Sequence, residues 1–360
     1  MVDMGKPKII VIGLGWASVS FIQTIDTTKY DVEVFSLDGK FVYTPLLAQN
    51  IKEVKQLTLR GKDIRTEVSF KSREITKVDF SSKEIHDNQS KKHPYTHLIF
   101  SHGASVNTFN ISGVHENCFF LKSDIHADEL SNKIKSLAPG SHIAVIGCGL
   151  TGSELVGSLL DMHKFHIHAI DAFPRPLTMF DERWSKFTLN VWKEHNISTY
   201  MNHMVASIDK NKIHFKEKES LAYDIAIWCG GIKKSPLTEI VLSALNMQHN
   251  RGIPVNEYLQ VEGCQDVHAM GDCAFSGHPP TAQVAFQQGK YLAHMFNNNF
   301  QHRKKFEFNN QGQIGYIGDH KSVCQLPYFQ SGGNIAYYLN NCVHVYNAVN
   351  WRQRWNMLFS

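Results

Sequence analysis

An α/β fold with two parallel-sheet halves is predicted for this 360-residue chain by three features. A strand–turn–helix pattern stands near the N-terminus. The same pattern returns 134 residues later, Gly13 to Gly147, and a strand near residue 270 ends in an acid followed by a long helical pattern. Apolar residues make up 42% and charged residues 19%, enough apolar material for sizeable cores and too much for disorder. The formal net charge of +4 does not point to nucleic acid, and the basic run "HRKK" at 302–305 reads as a solvated loop.

The first element, "KIIVIGLGWASVSFIQTI", is an apolar run, a glycine-rich turn and a helical pattern. Gly13 allows the tight turn, Gly15 lets a pyrophosphate approach the backbone, and the small third residue, Ser18, lets helix and strand pack. A helix that opens there offers free N–H groups and partial positive charge to phosphates. The next strand, "DVEVFS", ends in Ser36 with Asp38 two residues on; either is a candidate for the ribose. Glu33 lies mid-strand and is expected to face solvent. Further on, the β-rich stretch to "THLIFS" carries a charged tip, "HDNQSKKHP", that reads as a hairpin turn.

The second cradle, "HIAVIGCGLTGSELVGSLL", is complete, with Gly147, Gly149 and Gly152 in register. The strand after it, "FHIHAID", ends at Asp171, 24 residues beyond Gly147. A carboxylate at that place accepts from both ribose hydroxyls and repels a 2′-phosphate. Two Rossmann-type cradles on one chain point to electron transfer between two dinucleotides. In "VHAMGDCAF" the pair Gly271-Asp272 puts an acid at a strand end, a geometry suited to gripping a ribityl hydroxyl of a flavin.

Seven cysteines, an odd number without a CxxC pair, suggest a reducing compartment and remove the dithiol used by disulfide reductases. Cys148 and Cys229 read as small buried thiols. The N-terminus enters a strand almost at once, so neither a signal peptide nor an Arg/Ser-rich presequence is expected. No apolar run is long enough to span a membrane, and no acidic EF-hand loop or other metal site is read.

"GLGWASVSFIQTID", "FVYTPLLAQ", "VIGCGLTGSE", "IDAFPRPLTMFDE", "YDIAIWCGG", "GDCAFSGHPPTAQVAFQQGKYLA" and "GYIGDHKSV" together resemble type II NADH dehydrogenases. These are single-chain FAD enzymes that pass electrons from NADH to quinone without pumping protons. The blocks occur in family order over most of residues 7–320. The resemblance implies that Gly13, Gly15, Thr44, Pro45, Leu46, Gly103 and Asp272 line an FAD site. It implies that Gly147, Gly149, Gly152, Glu154, Asp171 and Gly230 line an NADH site, with Glu154 near the nicotinamide ribose. As a plain residue, Glu154 reads equally well as a first-turn acid complementing a helix dipole. The chain departs from the family in Ser18, in the short link "SLLDMHKFHIHAID", and in stopping soon after "NWRQRW".

The same resemblance implies a glutathione-reductase-like plan. Residues 1–112 and 235–305 would form the FAD domain, 113–234 the NADH domain inserted in it, and 306–360 a small C-terminal region. A helix is expected to start near Thr281. Gln283 and Gln287, four apart, then share a face while Gln288 points elsewhere. Ala282 and Ala285 are small enough to let that helix N-terminus lie close to a flat ring, and the two glutamines would border the quinone; the plain alternative is an exposed polar face. From Ile335 to Trp355, Tyr338, Cys342, Val345 and Val349 make an apolar stripe, with Asn340, His344, Asn347 and Arg354 opposite. "WRQRW" adds Arg352 between Trp351 and Trp355, a mixture that suits a lipid–water interface. Packing on the protein body or on a homodimer partner is the alternative. The reading is thus an NADH:quinone oxidoreductase peripheral on a respiratory membrane, mitochondrial or bacterial. A soluble flavin reductase with another acceptor, like ferredoxin reductases or apoptosis-inducing factor, is the runner-up.

Overall fold

The computed structural model describes residues 5–51, 57–301, 304–350 and 354. Two compact units divide the chain: residues 1–42, 58–105 and 233–309 in the first, and 43–57, 106–232 and 310–360 in the second. The sequence reading set its breaks after 112, 234 and 305. The C-terminal stretch groups with the second unit rather than standing apart, and so do residues 43–57.

In the first unit a five-stranded parallel sheet runs 267–269, 97–100, 8–12, 31–36, 69–72. The strand Lys8–Ile12 is central, and its apolar run is buried from Ile9 onward because both sheet faces are covered. Ile10, Ile12, Phe35, Leu98, Phe100, Val267 and Ala269 share one core. The charged tip at 86–94 is a hairpin, with Glu84 opposite Pro94 and His86 opposite Lys92. Glu33 does not face solvent: it is 7% exposed and pairs with Lys8 at 2.8 Å and Lys71 at 3.6 Å. Two lysines from flanking strands make that burial tolerable, and a single strand's alternation cannot reveal them. The helix Ala282–Asn297, which carries the glutamines, lies against the first cradle helix, Trp16–Thr24. A side chain at Gly289 would come within 2.0 Å of the Ala17 carbonyl oxygen, so this contact needs glycine.

The second unit repeats the plan. Its parallel sheet runs 118–120, 225–228, 142–146, 166–170, 198–200, again with the cradle strand at the centre. In each sheet the strand order reverses beside the cradle strand, the place where open α/β sheets bind ligands. An antiparallel sheet of strands 313–318, 321–325 and 330–333 packs on the second cradle helix, Leu150–Leu160. Gly157 sits so close to Gly318 that a side chain there would lie 2.5 Å from its nitrogen. Trp192, fully buried, donates from Nε1 to the Ile317 carbonyl at 3.1 Å.

The C-terminal helix, Asn334–Asn347, follows. Its two faces are used in an unexpected way. Ile335, Tyr338 and Tyr346 are 68%, 67% and 80% exposed, whereas Asn340 and His344, on the face read as polar, are 0% and 8% exposed. The polar stripe turns inward because it has partners there, described below; Asn347 and Arg354 remain exposed. Trp351, Arg352 and Trp355 lie outside the described residues.

Candidate active site

The second cradle is built from short-range necessity. The Gly147 N–H bonds the Ile170 carbonyl at 2.8 Å, which fixes the turn to the next strand. Gly147 has φ +96°, and a Cβ on it would stand 2.9 Å from the Gly230 nitrogen. One on Gly152 would meet the Gly147 carbonyl oxygen at 1.8 Å. Gly149, by contrast, faces open space: nothing lies within 4 Å of its missing side chain. It is also the N-cap of Leu150–Leu160 and provides no side-chain cap, so the first-turn N–H groups have no acceptor from the N-cap side chain. An open glycine beneath an uncapped helix start fits a pyrophosphate.

Asp171 is 8% exposed and closes this cradle. One carboxylate oxygen accepts from Cys148 N at 2.6 Å and the other from Phe173 N at 2.8 Å. Each oxygen keeps further lone-pair capacity, so the carboxylate is oriented while still able to accept ribose hydroxyls. Gly230 is fixed through Trp228, whose Nε1 donates to the carbonyls of Gly230 and Asn107, both at 2.9 Å. Phe109 and Phe173, 60% and 62% exposed, lie in the same unit.

Glu154 is 5% exposed and lies in the second turn of its helix, which begins at Leu150. The first-turn reading therefore fails. Gln49 donates from Nε2 to Glu154 Oε1 at 3.0 Å. Burial pushes this carboxyl up to about 8, with the Gln49 side chain and the Tyr316 backbone pulling the other way.

The first cradle, in the other unit, has the same frame with different fittings. The Gly13 N–H bonds the Phe35 carbonyl at 2.7 Å, and a Cβ at Gly13 (φ +108°) would lie 2.3 Å from the Ser101 carbonyl oxygen. Gly15 is the helix N-cap without a side-chain cap, its nearest neighbour 4.0 Å away, and Gly103 faces open space. This turn therefore fits a dinucleotide as well. Ser18 is fully buried and donates from Oγ to the Gly13 carbonyl at 2.7 Å, so it braces the turn. Ser36 Oγ accepts from Gly39 N at 2.9 Å, and Asp38 accepts from Lys40 N at 3.1 Å.

Gly271 and Asp272 open a short 3-10 turn after the strand Val267–Ala269, with Gly271 at φ +70°. Gln288 holds that turn: its Oε1 accepts from Gly271 N at 2.7 Å and its Nε2 donates to Ser276 Oγ at 2.8 Å. Gln287 exchanges two bonds with the Asn309 backbone, at 2.9 and 3.0 Å, and so ties down the chain after the helix. Gln283 lies half-buried one turn earlier. The helix start at Ala282 is less open than expected, because Thr281 Oγ1 caps Val284 N at 3.2 Å. Thr44, Pro45 and Leu46 form a 3-10 turn of the second unit, in which Leu46 is buried and Thr44 exposed.

Gln49 was not singled out in the sequence; Gln288 and Asn340 were placed on helix faces, but no role was read for them. Gln49 stands two residues after the "TPLL" block, and Asn340 with His344 breaks an apolar segment at helical spacing. Those were the available signals. All seven cysteines are free, and no group of metal-binding side chains occurs among the described residues.

The sequence pattern of the pyridine nucleotide-disulphide oxidoreductase family matches residues 7–289. A probable mitochondrial NADH-ubiquinone oxidoreductase of Schizosaccharomyces pombe is 27% identical, over 99% of this chain and 81% of its own. The external alternative NADH-ubiquinone oxidoreductase of Yarrowia lipolytica mitochondria is also 27% identical, over 98% and 78%. Among solved structures, NDH2 from Plasmodium falciparum in complex with NADH superposes with a TM-score of 0.90 at 24% identity, covering 99% of this chain and 97% of that one. Paired glycine turns, each at the start of a helix beside a central parallel strand, together with the match over residues 7–289, place this chain in the pyridine nucleotide-disulphide oxidoreductase family.

Proposed function

We propose that the chain is an FAD-dependent NADH:quinone oxidoreductase that does not pump protons. The observation that carries this reading is the pair of uncapped cradles on one chain, the second closed by an oriented, nearly buried Asp171. The names of the relatives, NADH-ubiquinone oxidoreductases of mitochondria, supply the acceptor. FAD, held by the first cradle, would supply the redox chemistry between NADH and quinone. The protein's part is placement. Gly147, Gly149, Gly152 and Gly230 shape the NADH cradle, and Asp171 accepts from its adenosine ribose while repelling a 2′-phosphate. Gly13, Gly15 and Gly103 shape the FAD cradle. Asp272, presented by a turn that Gln288 clamps, takes the ribityl hydroxyl. Gln283 is the amide donor assigned to the quinone, and Gln287 supports that helix face through Asn309. Catalysis of this kind rests on orientation.

Peripheral attachment to a mitochondrial membrane belongs to the same proposal. The exposed stripe Ile335, Tyr338 and Tyr346 suits a lipid surface, and no helix among the described residues is long and apolar enough to cross one. Flotation with vesicles of mitochondrial lipids tests the attachment, and sedimentation without lipid tests a homodimer on the same face. The function itself is tested by the visible spectrum. The purified protein should carry flavin bands that NADH bleaches anaerobically and a short-chain quinone restores. Bleaching without restoration would leave a reductase with another acceptor, and absence of flavin would overturn the reading.

A further inference from the structure

Buried and half-buried polar side chains between the second cradle helix and the C-terminal helix form an ordered chain that cofactor placement does not use. Gln49 Nε2 donates to Glu154 Oε1 at 3.0 Å, and Asn340 Nδ2 donates to Gln49 Oε1 at 3.1 Å. Ser158 Oγ lies within reach of the Gln49 carbonyl at 3.3 Å and the Glu154 carbonyl at 3.1 Å, which fixes the Gln49 backbone to the same helix. One turn beyond Asn340, His344 Nδ1 meets the Tyr43 hydroxyl at 3.3 Å. Asn340 is fully buried and His344 8% exposed.

A carboxamide is directional, because one end donates and the other accepts. Asn340 occupies the acceptor end of Gln49, so the donor end points at Glu154. A donor aimed at a carboxyl favours its ionised form and opposes burial. We infer that Gln49 and Asn340 act as a two-amide brace, a pair of positioning residues through which the seating of the C-terminal helix sets how readily Glu154 holds its proton.

The titratable groups around this acid are accounted for. At the C-cap of its helix is Asp161, seven residues on, bonded to the Tyr316 hydroxyl. Across the packed antiparallel sheet, Asp319 pairs with Lys321 and, at 3.2 Å, with His195. Cys148 lies in the turn, fully buried, with its thiol pushed well up by burial. Tyr43 and His344 pair with each other one turn beyond Asn340; burial holds the His344 ring down near 4 and so neutral. Burial, Gln49 and the Tyr316 backbone are the influences acting on Glu154.

The test uses holoenzyme and no substrate, so its outcome is separate from that of the oxidoreductase reading. In pH-difference infrared spectra the protonated-carboxyl band lost in Glu154→Gln belongs to this acid. In the wild type its midpoint should fall near 8. Gln49→Met removes the donor and should move the midpoint up by about one pH unit or more. Asn340→Asp should act in the same direction, because a carboxylate at 340 draws the Gln49 N–H groups and turns its oxygen toward Glu154. Asn340→Leu leaves Gln49 free to face Glu154 and should shift the band by less than half as much. It also controls for loosened packing, and if Gln49→Met does not fold, the Asp/Leu contrast carries the test. An unmoved midpoint in Gln49→Met, or equal shifts in Asn340→Asp and Asn340→Leu, would overturn the brace.

Discussion

The two cradles share a central strand with the next strand in sequence beside it, a glycine N-cap and a positive-φ first glycine, yet differ at three equivalent places. At the third motif position the first has Ser18, which reaches back to the turn, and the second has Gly152, which has no room for any side chain. At the strand end the first has Ser36, which caps its own loop, and the second has Asp171, held by two backbone N–H groups. Seven residues beyond the first glycine, the first has Ser20 and the second has the buried acid Glu154. The common features are those a pyrophosphate needs, and the differences are those that choose between nucleotides and set local charge. A third helix start, at Ala282, differs from both in being capped by a side chain, Thr281.

Breaking each turn separately should give the largest effects. Gly13→Ala should yield protein with roughly 10-fold or more weaker FAD retention, read as the ratio of flavin to protein absorbance. Gly152→Ala should keep its flavin and lose NADH-driven reduction by a comparable or larger factor. Opposite phenotypes would reverse the assignment of the cradles.

Glu154 sharpens the comparison through pH. Its folded-state value, about 8, lies above the ordinary 4.5, so the folded protein holds a proton that the unfolded chain releases. The contribution to stability is therefore greatest below 4.5 and declines as pH rises toward 8, by on the order of a few kcal/mol. Denaturant midpoints across that window should fall with pH in the wild type and flatten in Glu154→Gln. A slope unchanged by the substitution would place the decline elsewhere.

Asp272→Ala should loosen FAD about 10-fold, since a hydrogen bond to a charged acceptor is lost. Full flavin occupancy after dialysis would remove Asp272 from the site. Asp171→Asn should cut the preference for NADH over NADPH by roughly 10-fold, measured as the ratio of kcat/KM values. Some of the NADH affinity should survive, because the asparagine oxygen can still accept from one backbone N–H. Smallest of all, Ser18→Ala removes one bond to Gly13 and should lower Tm by about 2–4 °C, with flavin content unchanged.

The turns, the flanking strands and Asp171 were legible because each is a local requirement: φ, close approach and helix start are set within a few residues. Glu33 was misread because its two lysines come from neighbouring strands. Gln287 and Gln288 were distinguishable by spacing, but their partners Asn309 and Gly271 were not. In the C-terminal helix the periodicity was legible but the buried face was not, since amphipathicity says which residues share a side and leaves open which side is buried.

By itself, then, the sequence determined two glycine turns at two helix starts, an acid at the strand end beside the second, and the absence of a redox CxxC pair. Tertiary structure alone decided what each buried polar group bonds to. Gln49 reaches Glu154 across 105 positions and Asn340 across 291. A carboxamide takes whichever donor and acceptor the fold brings within about 3 Å, and no local pattern encodes a partner that distant.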